Sequence, residues 1–503
     1  MLTECFFLVN ARTGKFVFTI SQPYDELLFL FCGRIRLIEG TNLLIRSLMK
    51  LIRIKFFHHG LLCGLLICVI ATANGQTLLK DIMPGLKGSN PTSLINFNGT
   101  LFFLADDGVH GRELWKSDGT SAGTVLVKDV NPGSTGSDIK ELVVVNNLLF
   151  FSAYSTAGNS NTRQLWRSDG TETGTFEPYD VHKDGEVQNP VNLTKVGNLL
   201  FYVTKSSLGG SDQWLLSKSD GTDSAPQKSG GTGSFFSISY SPLTDGNIPP
   251  SNFTDVNGTL FFTYGKTLWT TAGQPTDPTF KATQVKTFSS IKNLCAFKKK
   301  LYFSVGPALW VSEGTLATTK QLPGIGQTAI TNIEKDILSL TPAGNYLYIV
   351  TGVNGRVLLA SDGVTISKTP QATAPGFIRA ITYLPAVKFP AMSSIVYFMA
   401  DNNIYSLTIE NWSLKKLPGT YQGVTNFVKV GSNLYFITST GLSRLESSNG
   451  KVESVFSIPV SSSTFSLTLV SSRLYLSTLM PDPGQEVYYV NAALISNNPF
   501  GGN

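Results

Sequence analysis

The chain has 503 residues, of which only 15% are charged, and it is rich in Gly (47) and Phe (32). This composition favours many short strands joined by tight turns and argues against long helices. Residues 1–75 hold eight of the 40 basic residues and four of the 34 acidic ones, so the remaining chain is nearly neutral, which argues against nucleic-acid binding.

Residues 49–75 have the pattern of a secretory signal peptide. Met49 is followed by a basic stretch, an apolar run over 61–71 and small residues suited to cleavage at Ala71-Thr72-Ala73. We therefore expect a secreted or cell-surface protein. The apolar run is shorter than the roughly 20 residues of a membrane span, so no stable span is expected after cleavage, and an uncleaved anchor is the alternative. Because a signal normally begins at the true start, we expect residues 1–48 to be a non-native upstream extension.

A unit of about 47 residues recurs from residue 76 onward. The stretch 126–137 repeats 78–89, and 163–175 repeats 112–124. A pair of aromatic or apolar residues marks nine units, at Phe102/Phe103, Phe150/Phe151, Phe201/Tyr202, Phe261/Phe262, Tyr302/Phe303, Tyr348/Ile349, Tyr397/Phe398, Tyr435/Phe436 and Tyr475/Leu476. Each unit is predicted to form four strands joined by turns such as Asn98-Gly99.

Strands that are apolar on both faces must be covered on both faces, and blades stacked around an axis provide that cover. The repeat therefore predicts an all-β fold, a single large β-propeller over 76–495 with a tail at 496–503. The sequence contains nine units, and most propellers have four to eight blades. We therefore expect eight or nine blades. The segment 77–82 aligns with the fourth strand of a unit, and the last unit ends after its third strand. We expect the N-terminal strand to complete the last blade and close the ring, through Leu78, Leu79 and Ile82.

Residues 113–120 read ELWKSDGT, and 164–171 read QLWRSDGT. These segments resemble the ELWxxDGT repeat of secreted bacterial proteins, and the resemblance covers most of 77–365. It implies an extracellular or surface protein without a well-defined activity.

The repeated Leu-Trp and Asp-Gly-Thr positions are interpreted as scaffold. Calcium needs six to eight oxygens, whereas each turn offers one Asp, whose expected role is to accept backbone N–H bonds while Gly takes a positive φ. A tryptophan that recurs within an apolar strand is expected to pack between blades. The scaffold residues are Leu114, Trp115, Asp118, Gly119, Thr120, Leu165, Trp166, Asp169, Gly170, Thr171, Asp220, Gly221, Trp269, Trp310 and Gly314. Trp214 and Trp412 lie outside this pattern and are candidates for surface contact.

No catalytic, metal-binding or cofactor motif is evident in the sequence. Beyond the signal there are two histidines, His110 and His182, and the adjacent acids Asp106 and Asp107 lie in a turn. A glycosidase needs two carboxylates about 5–10 Å apart, and these could come from different blades.

Three functions therefore remain open. The leading hypothesis is a scaffold that binds an extracellular protein or glycan through rim loops, of which Ser224–Ser251 and Gln371–Ser394 are the most irregular. The alternatives are a carbohydrate-active hydrolase or lyase with carboxylates at the central channel, and a structural protein of an extracellular matrix.

Overall fold

The computed structural model describes three short strands within residues 5–29 and most of residues 77–491. The gaps in the second range are 156–161, 179–186, 207–212, 222–235, 240–248, 273–280, 323–335, 353–354, 356, 374–377, 385–394, 425–426, 447–449, 458–465 and 480–484. The chain divides into two compact units, Met1–Asn74 and Gly75–Asn503. In the first unit, β1 (Cys5–Asn10), β2 (Lys15–Ile20) and β3 (Leu27–Phe29) form an antiparallel sheet. The expected signal segment 49–75 lies outside the described residues.

The described residues of the second unit contain no α-helix and form nine antiparallel sheets, which we number as blades 1 to 9 in chain order. Blade 1 comprises β5 (Thr92–Phe97), β6 (Thr100–Asp106), β7 (Arg112–Ser117) and β8 (Val125–Lys128). Blade 2 comprises β9 (Lys140–Val145), β10 (Leu148–Ala153) and β11 (Gln164–Ser168). Blade 3 comprises β12 (Val187–Val196), β13 (Leu199–Ser206), β14 (Gln213–Ser219) and β15 (Phe236–Ser239). Blade 4 comprises β16 (Ser251–Val256), β17 (Thr259–Tyr264), β18 (Thr267–Ala272) and β19 (Lys281–Thr287). Blade 5 comprises β20 (Lys292–Phe297), β21 (Lys300–Val305), β22 (Ala308–Ser312) and β23 (Lys320–Gln321). Blade 6 comprises β24 (Ser339–Ala343), β25 (Tyr346–Thr351), β26 (Val357–Ser361) and β27 (Ile366–Thr373). Blade 7 comprises β28 (Arg379–Leu384), β29 (Ile395–Ala400), β30 (Asn403–Thr408) and β31 (Ser413–Lys416). Blade 8 comprises β32 (Val428–Val430), β33 (Asn433–Thr438), β34 (Gly441–Glu446) and β35 (Val452–Ser457). Blade 9 comprises β36 (Leu467–Val470), β37 (Arg473–Leu479), β38 (Gln485–Asn491) and the N-terminal strand β4 (Thr77–Leu78).

The aromatic pairs lie on the second strand of every blade, and each of these side chains is at most 5% exposed. The buried side chains described form nine hydrophobic clusters, one for each interface between neighbouring blades. One cluster joins Phe103 of blade 1 to Tyr475 and Val487 of blade 9, so the ring is closed. First strands contact first strands of adjacent blades, which makes them the innermost strands. The predicted β-propeller is confirmed, with nine blades and not eight.

The N-terminal strand completes blade 9, as predicted. Leu78 pairs with Tyr488 on β38, and the N–H of Leu79 donates to the carbonyl of Val487 at 2.9 Å. The strand is shorter than the predicted 77–82, because regular pairing covers only Thr77–Leu78. Leu79 and Ile82 nevertheless pack into the cluster between blades 9 and 1.

Blade 2 has three full strands among its described residues, where four were predicted. Its fourth strand is reduced to one bridge between Arg167 and Phe176. The chain reaches Pro178 two residues later. Proline has no N–H to extend the ladder, so regular pairing stops there.

No membrane-spanning helix, by length and hydropathy, occurs within the described part of the chain.

The crossover from blade 9 to blade 1 contains two glycines with opposite packing. A Cβ on Gly88 would lie 2.2 Å from the backbone nitrogen of Gln485, whereas a Cβ on Gly85 would meet nothing within 4 Å. Both residues have positive φ. We expect Gly88→Ala to lower the free energy of unfolding by about 3 kcal/mol, from backbone overlap plus left-handed strain. Gly85→Ala carries the strain alone and should lower it by about 1 kcal/mol. Urea unfolding of both variants tests this, and equal losses would contradict the packing argument.

Candidate functional site

Each blade is a meander, so its connections fall at two ends. We call the end that carries the strand 1–2 and strand 3–4 turns the turn face; in blade 1 it holds Asn98-Gly99 and 118–120. We call the opposite end the crossover face; in blade 1 it holds the strand 2–3 turn at 107–111 and the crossover at 129–139. The repeated motif and the candidate acids therefore lie at different ends of the ring.

The Ser-Asp-Gly-Thr turn of blade 1 is a closed hydrogen-bonded unit. Asp118 Oδ1 accepts the N–H of Thr120 at 2.8 Å and its hydroxyl at 2.7 Å. Thr120 Oγ1 in turn accepts the N–H of Gly123 at 2.9 Å, and Ser117 Oγ lies 2.7 Å from Thr124 Oγ1. The side-chain and backbone hydrogen bonds from Thr120 hold the pKa of Asp118 below its ordinary value.

The same turn recurs in other blades with small changes. Asp169 accepts from Thr171 at the same two distances, 2.8 and 2.7 Å. Burial works against it, but the hydrogen bonds from Thr171 keep the pKa of Asp169 low. In blades 3 and 5, the N–H groups of Gly221 and Gly314 each donate at 3.1 Å to the serine two residues earlier, beside Asp220 in blade 3 and Glu313 in blade 5. Across the described residues, no three His, Cys, Asp or Glu side chains are placed to hold one metal ion.

Cations from the preceding blade donate to each of the best-preserved turns. Lys116 and Lys128 of blade 1 donate to the carbonyls of Gly170 and Thr175 in blade 2, both at 2.7 Å. A Cβ on Gly170 would lie 3.0 Å from the Phe102 ring, so the turn also packs on the preceding blade. Matching bonds join blade 9 to blade 1 and blade 2 to blade 3, from Arg473 to Gly119, from Lys80 to Thr124 and from Arg167 to Gly221. The repeated motif therefore ties blades together.

This inter-blade role of the lysines was not predicted. The signal was present, because Lys80 and Lys128 occupy the same position in copies 48 residues apart, and Lys116 aligns with Arg167.

The repeated leucines and tryptophans pack between blades. Leu114 and Leu165 are buried, and Trp115 and Trp166 are each 7% exposed. The four side chains lie in the clusters between blades 9 and 1, blades 1 and 2, and blades 2 and 3. Trp269 and Trp310 are half-buried and stack on Phe262 and Phe303, with ring centroids 6.4 and 6.3 Å apart.

The two tryptophans outside the pattern are also half-buried. Trp214 packs against the cluster between blades 3 and 4. Trp412 packs against the cluster between blades 6 and 7, with its ring centroid 5.2 Å from that of Tyr346.

Two buried glutamates hold the crossovers on either side of blade 1. Glu113 is fully buried, and its Oε2 accepts the Ser137 hydroxyl at 2.6 Å. Glu486, at the equivalent position of blade 9, accepts the Ser89 hydroxyl at 2.6 Å and its N–H at 2.8 Å. Burial raises the pKa of Glu113 to about 7 and raises that of Glu486 as well. The two Glu–Ser pairs were not predicted from the sequence. A signal was present, because Ser89 and Ser137 occupy the same position in copies 48 residues apart.

The strand 2–3 turn of blade 1 carries an ion pair. Asp107 Oδ2 lies 2.7 Å from His110 Nδ1, and this contact raises the pKa of His110. Asp106 accepts the N–H of Gly108 at 2.8 Å. Glu113 lies close by in sequence, but its carboxyl group is enclosed and out of reach of a substrate in solvent. His182 lies outside the described residues.

The innermost strands that the structure describes carry two carboxylates. Glu141 Oε2 accepts the N–H of Leu193 at 2.9 Å. Asp255 accepts the N–H groups of Gly258 and Gly197 at 2.7 and 3.0 Å. Glu141 lies toward the crossover face and Asp255 toward the turn face. Each carboxylate accepts backbone N–H groups, and the two lie at opposite ends of the ring. They therefore do not form a glycosidase pair.

Only small parts of the two irregular loops belong to the described residues. In Ser224–Ser251 these are β15 and residues 249–251, and in Gln371–Ser394 they are 371–373 and 378–384.

No protein-family model and no curated protein sequence matches this chain. Among solved structures, it is similar to BamB from Moraxella catarrhalis, with 15% identity over 69% of this chain and 95% of that chain and a TM-score of 0.35. It is also similar to Saccharomyces cerevisiae Sqt1, with 14% identity over 70% and 95% and a TM-score of 0.39. A third is the extracellular domain of a one-component system from B. thetaiotaomicron, with 9% identity over 97% and 64% and a TM-score of 0.33. At these values no function follows from the similarities.

Proposed function

We propose that this chain is a secreted or cell-surface β-propeller scaffold, of the bacterial ELWxxDGT-repeat kind, that binds a protein or glycan partner through loops of its crossover face. One observation carries the proposal: the polar groups of the repeated motif are bonded within their own turns or to the next blade. A framework that uses its conspicuous polar groups internally leaves recognition to the variable loops, which is how repeat proteins divide these roles.

The alternative of a carbohydrate-active enzyme has less support. Such an enzyme needs an acid and a base that reach one substrate, and the carboxylates of the described innermost strands accept backbone N–H groups instead. Among the contacts of the described residues, none favours a structural matrix protein.

Exchange of one loop at each end of blade 3 tests the proposal. Residues 240–248 follow β15 in sequence, and β15 ends on the crossover face; residues 224–232 follow β14, which ends on the turn face. Each stretch of nine residues is replaced by a Gly-Ser linker of equal length, and the variants are screened on a glycan array and in a cell-surface pull-down. We expect the crossover-face variant to lose the partner that the full chain binds and the turn-face control to keep it. Equal binding by both variants, or hydrolysis of a polysaccharide by the full chain, would contradict the proposal.

Export has its own test. N-terminal sequencing of the mature protein is expected to begin between residues 74 and 77, after the small residues of the signal. Recovery of a peptide from residues 1–48 in the native protein would overturn the assignment of Met49 as the start.

A further inference from the structure

The nearly neutral ring is charged unevenly from blade to blade. Residues 77–250, which contain blades 1 to 3, hold 13 basic and 18 acidic residues. Residues 251–322, which contain blades 4 and 5, hold eight lysines, no arginine and three acidic residues. A local excess of one sign persists in the field near the surface, whatever the net charge of the chain.

Three of these lysines surround the crossover between blades 4 and 5 on the crossover face, and we call them the basic edge: Lys266, Lys286 and Lys292. Lys266 lies in the strand 2–3 turn of blade 4, and its carbonyl accepts the N–H of Phe288 at 2.9 Å. Lys286 is next to the last residue of β19, and Lys292 is the first residue of β20. The fold therefore gathers the three at one end of two adjacent blades.

Lys266 and Lys292 are exposed, and no described carboxylate forms an ion pair with any of the three lysines of the basic edge. On the turn face, by contrast, Lys300 pairs with Glu313 at 2.7 Å.

Two aromatic rings lie beside Lys286. The Lys286 ammonium lies 4.6 Å from the ring centroid of Trp310 and 5.5 Å from that of Phe288. Both rings are half-buried, so part of each remains accessible. Cations beside partly exposed aromatic rings match a ligand that has both anionic groups and apolar C–H faces.

We propose that the basic edge binds an acidic polysaccharide, with its carboxylate or sulfate groups at Lys266 and Lys292 and a sugar face against Phe288. This inference rests on the proposed scaffold function and names the class of glycan. The basic edge offers only three lysines, whereas a nucleic-acid backbone is bound along a longer positively charged groove, which favours the glycan.

Binding of alginate, a linear polyuronate, to the full chain tests the inference, with dextran as the neutral reference. The test variant is K266Q/K292Q, and the matched control is K415Q/K416Q, which removes two exposed lysines from blade 7. We expect the chain to bind alginate more tightly than dextran, with an affinity that falls as salt rises. K266Q/K292Q should weaken binding about fivefold, because each exposed charge contributes modestly, and the control should change it less than twofold. Thermal unfolding of both variants verifies that they fold.

The outcomes separate this inference from the proposed function. If the chain binds another glycan or a protein but not alginate, the basic edge assignment is wrong and the scaffold proposal stands. If it binds none of them, both fail. An equal loss in the two variants, or tighter binding of single-stranded DNA than of alginate, would also overturn the assignment.

Discussion

Replacing Leu79 and Ile82 together by alanine is expected to lower the free energy of unfolding by at least about 4 kcal/mol, since each buried aliphatic truncation costs about 2–5 kcal/mol. These side chains are 2% and 7% exposed and pack in the cluster that joins blade 9 to blade 1. The regular pairing that closes the ring spans only Thr77–Leu78. Side-chain packing therefore contributes most of the free energy that holds the ring closed, and loss of that packing would expose sheet edges.

Chemical unfolding followed by tryptophan fluorescence measures this loss. Leu86→Ala is the matched control, because Leu86 belongs to the same crossover but is 77% exposed. We expect the control to stay within about 0.5 kcal/mol of the parent. An unchanged midpoint for the double variant would mean that the ring does not depend on its N-terminal strand.

The nine repeat units could be recognised in the sequence, which limited the prediction to eight or nine blades, because one feature survives in every repeat. The second strand is covered on both faces, so its aromatic pair stays apolar even in blades 7 to 9, where the Asp-Gly-Thr turn is lost. Blade 2 shows how local chemistry overrides the repeat: Pro178 stands where its fourth strand would continue.

The contacts between distant segments were harder to predict. Glu113 and Ser137 are 24 residues apart, and Glu486 and Ser89 are 397 apart, so only the folded ring shows that they meet. The basic edge does not show in the net charge of the body, because the acids of blades 1 to 3 offset the lysines of blades 4 and 5.

Glu113→Gln is expected to make the protein more stable at pH 8 and to leave its stability nearly unchanged at pH 5. Burial raises the pKa of Glu113 from 4.5 to about 7, so the folded protein holds a proton that the unfolded chain releases. The contribution of Glu113 to the free energy of unfolding is therefore fully present below pH 4.5 and is lost as the pH rises from 4.5 through 7. A shift of this size corresponds to about 3 kcal/mol. Glutamine keeps the shape and a hydrogen-bonding oxygen without the charge, and Gln164 already occupies this position in blade 2.

Urea unfolding at pH 5 and pH 8 measures the difference. The parent protein should lose about 2.5 kcal/mol more than Glu113→Gln between the two values, because part of the full effect has already occurred by pH 5. Glu172→Gln removes the same charge from an exposed turn and should keep the parent's dependence on pH. If Glu113→Gln retained the full dependence, the buried proton would lie elsewhere. Glu486 would then be the next group to replace, since burial raises its pKa in the same direction and its carboxylate holds the crossover that closes the ring.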